Sequence, residues 1–452
     1  MKQKLIILGA GESGVGAALL GKAKGYEVFV SDKGAIQEKY KAILSFSEIA
    51  FEELNHTEDV ILKSNLVVKS PGIPEKAPLI KKLKEKSIEV ISEIEFASRY
   101  SKAKFIAITG SNGKTTTTLL TYHLLKKLGL NVGLAGNIGE SLAKQVIDDQ
   151  YDYFVLELSS FQLDDMYTFK AHVAILLNIT PDHLDRYDYE FQNYIDSKFR
   201  VIQNMTCNDY FICFTDDEVI RKELAKRNID AEILSISLKD EVNNGGSILN
   251  EKLHVNLKGS LDKEFGLNIS DLPLKGKHNM VNTMSAILVA TVLKQDERLF
   301  VDALQDFKNA SHRLEEAGVV NGVRFVNDSK ATNVDSVFYA LDSFKENLIL
   351  IAGGVDKGND YSQIEALVKQ KVKALVCMGK DNSKLHKAFD NKVSKIIDTD
   401  NIEDAIKKAF AEAKEGDVVL LSPACASFDL FKNYEDRGNQ FKKQVEILKS
   451  KF

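Results

Sequence analysis

The sequence predicts a three-domain α/β protein, and three features of its 452 residues carry that prediction. Short apolar strands alternate with longer amphipathic stretches almost throughout, as in parallel sheets joined by helices. The strand–turn–helix pattern restarts twice, at "KFIAITGSNGKTTTT" and after "HRLE". A chain of this length also exceeds a single ordinary core. These breaks suggest domains over residues 1–93, 94–311 and 312–452.

In the first block, "LIILGAGESGVG" runs from an apolar strand into a turn with Gly9, Gly11 and Gly14, and Asp32 follows the next strand, "YEVFV". This is a Rossmann-like fingerprint, in which glycines bring backbone N–H groups and a helix N-terminus to a pyrophosphate. NAD in a dehydrogenase is one ligand of that kind. The fingerprint alone does not separate it from a nucleoside diphosphate sugar. "SNLVVKSPGIP" supplies a further strand, and the block ends near "VISEIEFASRY".

The second block opens on the strongest local signal. A strand ending at Thr109 leads into Gly110, Ser111, Asn112 and Gly113, and Lys114, Thr115 and Thr116 open a helix. This P-loop-like turn can wrap backbone N–H groups around phosphates. Lys114 can neutralise β- and γ-phosphate charge, and the Thr115 hydroxyl can ligate Mg²⁺. The loop is shorter than the general motif, since only Ser111 and Asn112 separate its glycines. Glu157 ends the strand "YFVLEL"; locally it is a helix cap or, beside a phosphate loop, a Mg²⁺ ligand. Asp182, after "HVAILLNIT", reads locally as a turn cap. Residues 230–275 carry turn residues between short alternating segments, which predicts antiparallel hairpins beside the parallel sheet. An apolar helix follows at "NMVNTMSAILVATVLK", where Asn279 and Asn282 could be caps. The third block has strands "RFVND", "NLILIAGG", "KALVCMG" and "DVVLLSPA", a second Rossmann-like set.

Composition narrows the class. Hydrophobic residues make up 44% and charged residues 28%, as in a soluble globular protein. The net charge of -5 gives no reason to expect nucleic acid or an anionic membrane as partner. No apolar run approaches the roughly 20 residues that span a bilayer. The apolar stretch after the basic N-terminus is short and runs into a glycine turn, unlike a secretion signal. Cys207, Cys213, Cys377 and Cys425 are scattered, without metal-ligand spacing, as suits a reducing cytoplasm.

The shortened loop "TGSNGKTTTT" resembles the ATP loop of the Mur ligase family, which also includes folylpolyglutamate synthetase. Similar motifs follow in order: "GNIG", "LELSSFQL", "NITPDHLDRY", "GKHNMVN", "HRLE", "NDSKATN", "GGVDKG" and "SPACASFDLFKNYEDRG". The last four are most like the D-glutamate-adding branch. Folylpolyglutamate synthetases lack the first α/β block, and the diaminopimelate-adding branch usually carries a "DNPR"-type motif absent here.

The resemblance implies a monomeric cytoplasmic enzyme of peptidoglycan precursor synthesis that acts on small molecules. It would join D-glutamate to UDP-N-acetylmuramoyl-L-alanine through an acyl phosphate, with ATP and two Mg²⁺ ions. Other muropeptide or polyglutamate ligase steps are the related alternatives. By resemblance, Glu12, Ser13, Asp32, Lys33, Gly72, Asn137 and His183 hold the UDP-substrate, with Lys33 where some relatives have arginine. Asn282, Arg313, Asp328 and Lys330 join the loop residues 110–116 around ATP. Thr332, Lys357, Ser427 and Tyr434 hold D-glutamate, with Tyr434 where phenylalanine is common. Lys114, His183 and Lys198 carry the chemistry; Thr115, Glu157, His183 and a CO₂-derived carbamate on Lys198 hold the metals. The third domain would close over ATP to exclude water.

Overall fold

The computed structural model describes residues 2–259 and 261–452. Three sheets organise them, and the chain divides into two compact units, Met1–Phe307 and Lys308–Phe452. The first unit holds two sheets. β1 (Lys4–Leu8), β2 (Glu27–Ser31), β3 (Ala50–Glu52), β4 (Leu66–Lys69) and β5 (Glu89–Ile91) form a parallel sheet in the order β3-β2-β1-β4-β5. The order reverses between β1 and β4, and a doubly wound sheet opens a crevice at the carboxyl ends of such strands. Gly9 follows β1 there and Gly72 follows β4.

The glycine fingerprint has a separate reason at each position. Gly9 has φ +98°, and a Cβ on it would lie 2.7 Å from that of Ser70. A Cβ on Gly14 would lie 1.9 Å from the Gly9 carbonyl oxygen, so the helix Glu12–Ala23 can start this close to β1 only with glycine. At Gly11 a Cβ would meet nothing within 4 Å. The open side is where a ligand backbone could approach. We predict that Gly14→Ala costs about 1–3 kcal/mol through backbone displacement, whereas Gly11→Ala leaves stability nearly unchanged; thermal melts of the two variants check both.

In the second sheet, β6 (Lys104–Thr109), β7 (Val132–Gly136), β8 (Tyr153–Glu157), β9 (Val173–Leu176), β10 (Tyr210–Phe214) and β11 (Glu232–Ser237) run parallel. β12 (Gly245–Leu249), β13 (Lys252–Leu257) and β14 (Lys263–Asn268) complete the nine-stranded order β14-β13-β12-β11-β10-β9-β6-β8-β7. The expected antiparallel hairpins appear in β12–β14, but the segment Glu232–Ser237 pairs in parallel with both neighbours. This strand is interior to the sheet, lying between β10 and β12, with Leu234, Ile236 and Ser237 buried. β6 is bracketed by β8 and β9, so the ends of three strands meet at the phosphate loop. The helix Lys277–Val292, buried along almost its whole length, packs on the loop helix Lys114–Lys127.

The second unit holds β15 (Glu315–Val320), β16 (Val323–Asn327), β17 (Leu348–Ala352), β18 (Val372–Met378), β19 (Ile396–Thr399) and β20 (Val418–Leu421). Their order is β15-β16-β20-β17-β18-β19, parallel except for the edge pair β15–β16. No helix among the described residues is long and apolar enough to cross a membrane.

Candidate functional site

The phosphate loop is held in shape by a segment some seventy residues later in the chain. Ser111 donates from its amide to the Asn178 carbonyl, and the Asn112 amide donates to Asn178 Oδ1 at 2.8 Å. Ser111 Oγ donates to the Thr180 carbonyl at 2.8 Å. Lys114 Nζ lies 2.7 Å from the carbonyl oxygens of both Gly110 and Ser111, folded back over its own loop. Gly113 sits at φ +84°, and a Cβ there would come within 2.8 Å of Asn282 Oδ1. Asn282 therefore abuts the loop, and its Oδ1 also accepts from Thr117 at 3.0 Å. Asn279 and Asn282 both lie inside the helix Lys277–Val292, and neither caps it.

Glu157 is buried at the end of β8, paired in register with Ile108 of β6. The cap of the helix that follows is Ser159, whose side chain forms a capping box with Gln162. Glu157 is thus free of any capping duty. Its Oε1 accepts from Asn137 Nδ2 at 2.8 Å, and its buried Oε2 has no hydrogen-bond partner among the described residues. A buried carboxylate oxygen left unmatched beside a phosphate loop suits a hard cation, which takes oxygen ligands. Asn137 thereby aims Glu157.

Lys198 lies on the helix Phe191–Phe199, fully buried. Its Nζ is 3.2 Å from Thr109 Oγ1, at the last residue of β6. Burial, together with the charge of Lys114, pushes its pKa well below the ordinary lysine value. The neutral amine is the form so favoured. One helical turn earlier Tyr194 places its ring beneath that amine, 5.2 Å from centroid to Nζ, and its hydroxyl 3.1 Å from Ser111 Oγ. Sequence reasoning missed Tyr194, although the i, i+4 spacing to Lys198 was there to be read.

His183 takes a left-handed backbone (φ +53°) and sets its ring edge-on to Phe161 at 5.1 Å. At the glycine turn, Asp32 faces inward: Oδ2 accepts from the Ala10 amide and Oδ1 from the Gly34 amide, each at 2.7 Å. Asp32 thus shapes the turn. Glu12 accepts from Tyr40 at 3.1 Å, Ser13 is half-buried, and Lys33 and Gly72 are exposed.

The second unit brings its own motifs together. Asp328, buried after β16, accepts from Ser422 Oγ at 2.9 Å and from the Leu314 amide next to Arg313. Burial pushes its pKa up to about 6, against the pull of Arg313. Lys330 lies over the Tyr434 ring, 5.6 Å from its centroid. The "GGVDKG" and "SPACAS" loops pair through Val355 and Ala426, which exchange both backbone hydrogen bonds. That pairing joins the loop bearing exposed Lys357 to the one bearing buried Ser427. Thr332, half-buried, follows the Ala331 carbonyl that accepts from Ala424 in the same cluster. Arg437 was not singled out from sequence. Fully buried, it donates to Ser329 Oγ, the Ser329 carbonyl and the Cys425 carbonyl, and so ties the "NDSKATN" loop to the "SPACAS" loop. Elsewhere in this unit Cys377, His386 and Asp398 bring ligand atoms within 4.8 Å, though their sequence spacing shows no metal pattern. There Asp398 is already engaged by His386 and Asn382.

A phosphate loop on a parallel sheet, with a buried lysine and an unmatched carboxylate at the same strand ends, defines a nucleotide-binding enzyme of α/β architecture. Comparison with known proteins then places it. Residues 3–92 match the MurD-like N-terminal domain of Mur ligases, 108–290 the Mur ligase middle domain, and 312–425 the Mur ligase glutamate ligase domain. The chain belongs to the Mur ligase family. It is 58% identical over 447 residues to the UDP-N-acetylmuramoylalanine--D-glutamate ligase of Cytophaga hutchinsonii, covering 98% of this chain and 99% of that one. It is 53% identical to the protein of the same name from Bacteroides thetaiotaomicron, over 99% and 100% of the two chains. Among solved structures, UDP-N-acetylmuramate-alanine ligase MurC of Thermotoga maritima shares the fold with a TM-score of 0.62 at 17% identity, over 99% of this chain and 100% of that one.

Proposed function

We infer that this protein joins D-glutamate to UDP-N-acetylmuramoyl-L-alanine, using ATP, in peptidoglycan precursor synthesis. The observation that carries this is full-length identity of 51–58% to relatives bearing that activity in their names. The substrate carboxylate attacks the γ-phosphorus of ATP, and ADP leaves, giving an acyl phosphate. The D-glutamate amine then attacks the acyl carbon; inorganic phosphate leaves and the nitrogen loses a proton.

Each residue has a part in this reading. Lys114 swings from its own loop carbonyls to the β- and γ-phosphates, where its charge offsets that of the transferring group. Asn282, against Gly113, borders the nucleotide, and Arg313, Asp328 and Lys330 engage its phosphates and ribose. Glu12, Ser13, Lys33, Gly72 and Asn137 face the UDP-muramoyl moiety, with Asp32 holding the turn. Gly11 leaves room for the pyrophosphate. Thr332, Lys357, Ser427 and Tyr434 receive the two carboxylates of D-glutamate and leave its amine free. Thr115, the unmatched oxygen of Glu157, His183 and a carbamate on Lys198 would hold Mg²⁺. The ions supply charge stabilisation for the phosphates and the acyl oxygen. The Lys198 amine adds to CO₂ with loss of one proton, which turns a buried base into an oxygen ligand. Burial favours the neutral amine that this addition requires.

Purified protein supplied with ATP, Mg²⁺ and UDP-N-acetylmuramoyl-L-alanine should release ADP and phosphate and form an amide with D-glutamate out of a panel of amino acids. Amide formation with another amino acid, or ATP hydrolysis equally fast without the muramoyl substrate, would overturn the reading.

A further inference from the structure

The loop that carries Gly72 and the turn that carries His183 grow from different sheets, β4 of the first and β9 of the second. Neither sheet sets the spacing between them. Resting on the function proposed above, we propose that Arg186 is the positioning residue that fixes this spacing, so that the UDP-substrate is presented in register with His183.

The geometry is that of a clip. The Arg186 guanidinium donates from Nη2 to the Pro71 carbonyl at 3.3 Å and from Nη1 to the Gly72 carbonyl at 3.4 Å. Its flat face lies over the Phe161 ring, 4.3 Å from guanidinium carbon to centroid, and the same ring meets the His183 imidazole. Arg186 also belongs to the turn it holds, since its amide donates to the His183 carbonyl at 2.9 Å. One residue therefore joins the substrate loop and the aromatic support of His183, through its side chain, to the His183 turn, through its amide.

Two further cations act on the same loop. Lys76 donates to the Asp185 carbonyl at 3.0 Å, beside Arg186 in the chain. Beneath the loop, fully buried Lys69 donates to the Ile73 carbonyl at 2.9 Å and pairs with Glu75 and, across to the second sheet's side, with Asp165 at 2.8 Å. These anchor the loop at its flanks. Arg186 reaches further, to the carbonyls of Pro71 and Gly72 at the tip.

The chemistry demands arginine. Two carbonyls side by side and an aromatic face below suit a planar fork that donates from its edge while it stacks on its face, a combination that a compact ammonium does not offer at one position. Charge alone is not the requirement, so lysine should not substitute.

The test compares Arg186→Ala, Arg186→Lys and Phe161→Leu with the unmodified protein; the last keeps the arginine and removes its seat. In all three, KM for UDP-N-acetylmuramoyl-L-alanine should rise about ten-fold, in keeping with the loss of charge-assisted hydrogen bonds. KM for ATP and the melting temperature should stay nearly unchanged. Amide hydrogen exchange at residues 71–73 should speed up in the same variants, a readout that needs no turnover. Unchanged exchange, a common rise in every KM with a lower melting temperature, or full function in Arg186→Lys would each overturn the proposal. Should the unmodified protein form no amide, the proposed function fails, and the exchange data still decide whether Arg186 holds the loop.

Discussion

Replacing Lys114 by alanine should lower ATP-dependent product formation by about 10²–10³-fold, the scale of losing one preorganised charge at a developing anion. The argument rests on where the side chain waits. Its Nζ donates to its own loop carbonyls at Gly110 and Ser111, so it is held over the phosphate loop itself. The loop itself owes its form to Asn178 and Thr180, so the variant should keep its fold. A second effect accompanies the first. The charge of Lys114 helps keep the Lys198 pKa low. Its removal should raise that pKa and, if Lys198 carries the carbamate proposed above, leave less neutral amine to combine with CO₂. Steady-state rates at saturating ATP, with bicarbonate added and withheld, separate the two effects; unchanged product formation would refute the assignment of Lys114.

Lys198→Met should abolish activity and make the protein more stable. A buried amine whose one close hydroxyl partner is 3.2 Å away gains little from its surroundings, while methionine fills similar space without a polar group. The expected gain is about 1–3 kcal/mol, read from denaturant melts in CO₂-free buffer. The pH dependence has a definite sign. The folded-state pKa of Lys198 lies below its unfolded value, so between the two the unfolded chain binds more protons. Unmodified protein should therefore gain stability as pH rises toward the unfolded value of about 10.4, and its deficit against Lys198→Met should shrink. An equal deficit at all pH values would show that the amine is not perturbed. In the unmodified protein, removal of CO₂ should lower activity and bicarbonate should restore it, with the carbamate carbon visible by ¹³C NMR.

Both predictions concern residues the sequence singled out, though in unequal ways. Lys114 was legible from the residues alone, because a phosphate loop is a contiguous strand–turn–helix unit whose glycines and lysine are spaced by local backbone geometry. Lys198 was legible only through family resemblance, since one lysine on an amphipathic helix looks like any other. Its burial and its contact with Thr109 come from a residue about ninety positions away in the chain. The bland readings of Glu157, Asn279 and Asn282 as caps fell for the same reason. Which side chain caps a helix depends on an exact boundary, and the boundaries put Ser159 at one cap and Gly276 at the other.

By itself the sequence determined the three α/β blocks, the glycine turn, the phosphate loop and the family, because strand periodicity and turn chemistry are encoded over short stretches. Only the tertiary structure decided that Asp32 turns inward to Ala10, that Glu157 keeps one buried oxygen unmatched, that Tyr194 lies against Lys198 and Ser111, that Arg437 joins Ser329 to Cys425, and that Arg186 reaches Pro71 and Gly72. It also decided that Glu232–Ser237 lies parallel and that short strands such as β3 and β5 close the first sheet's edges. These are outcomes of packing between distant segments. A hydrogen bond or an orphaned oxygen exists only once both neighbours are in place, and, apart from the i, i+4 spacing of Tyr194 and Lys198, residue spacing along the chain carries no record of them.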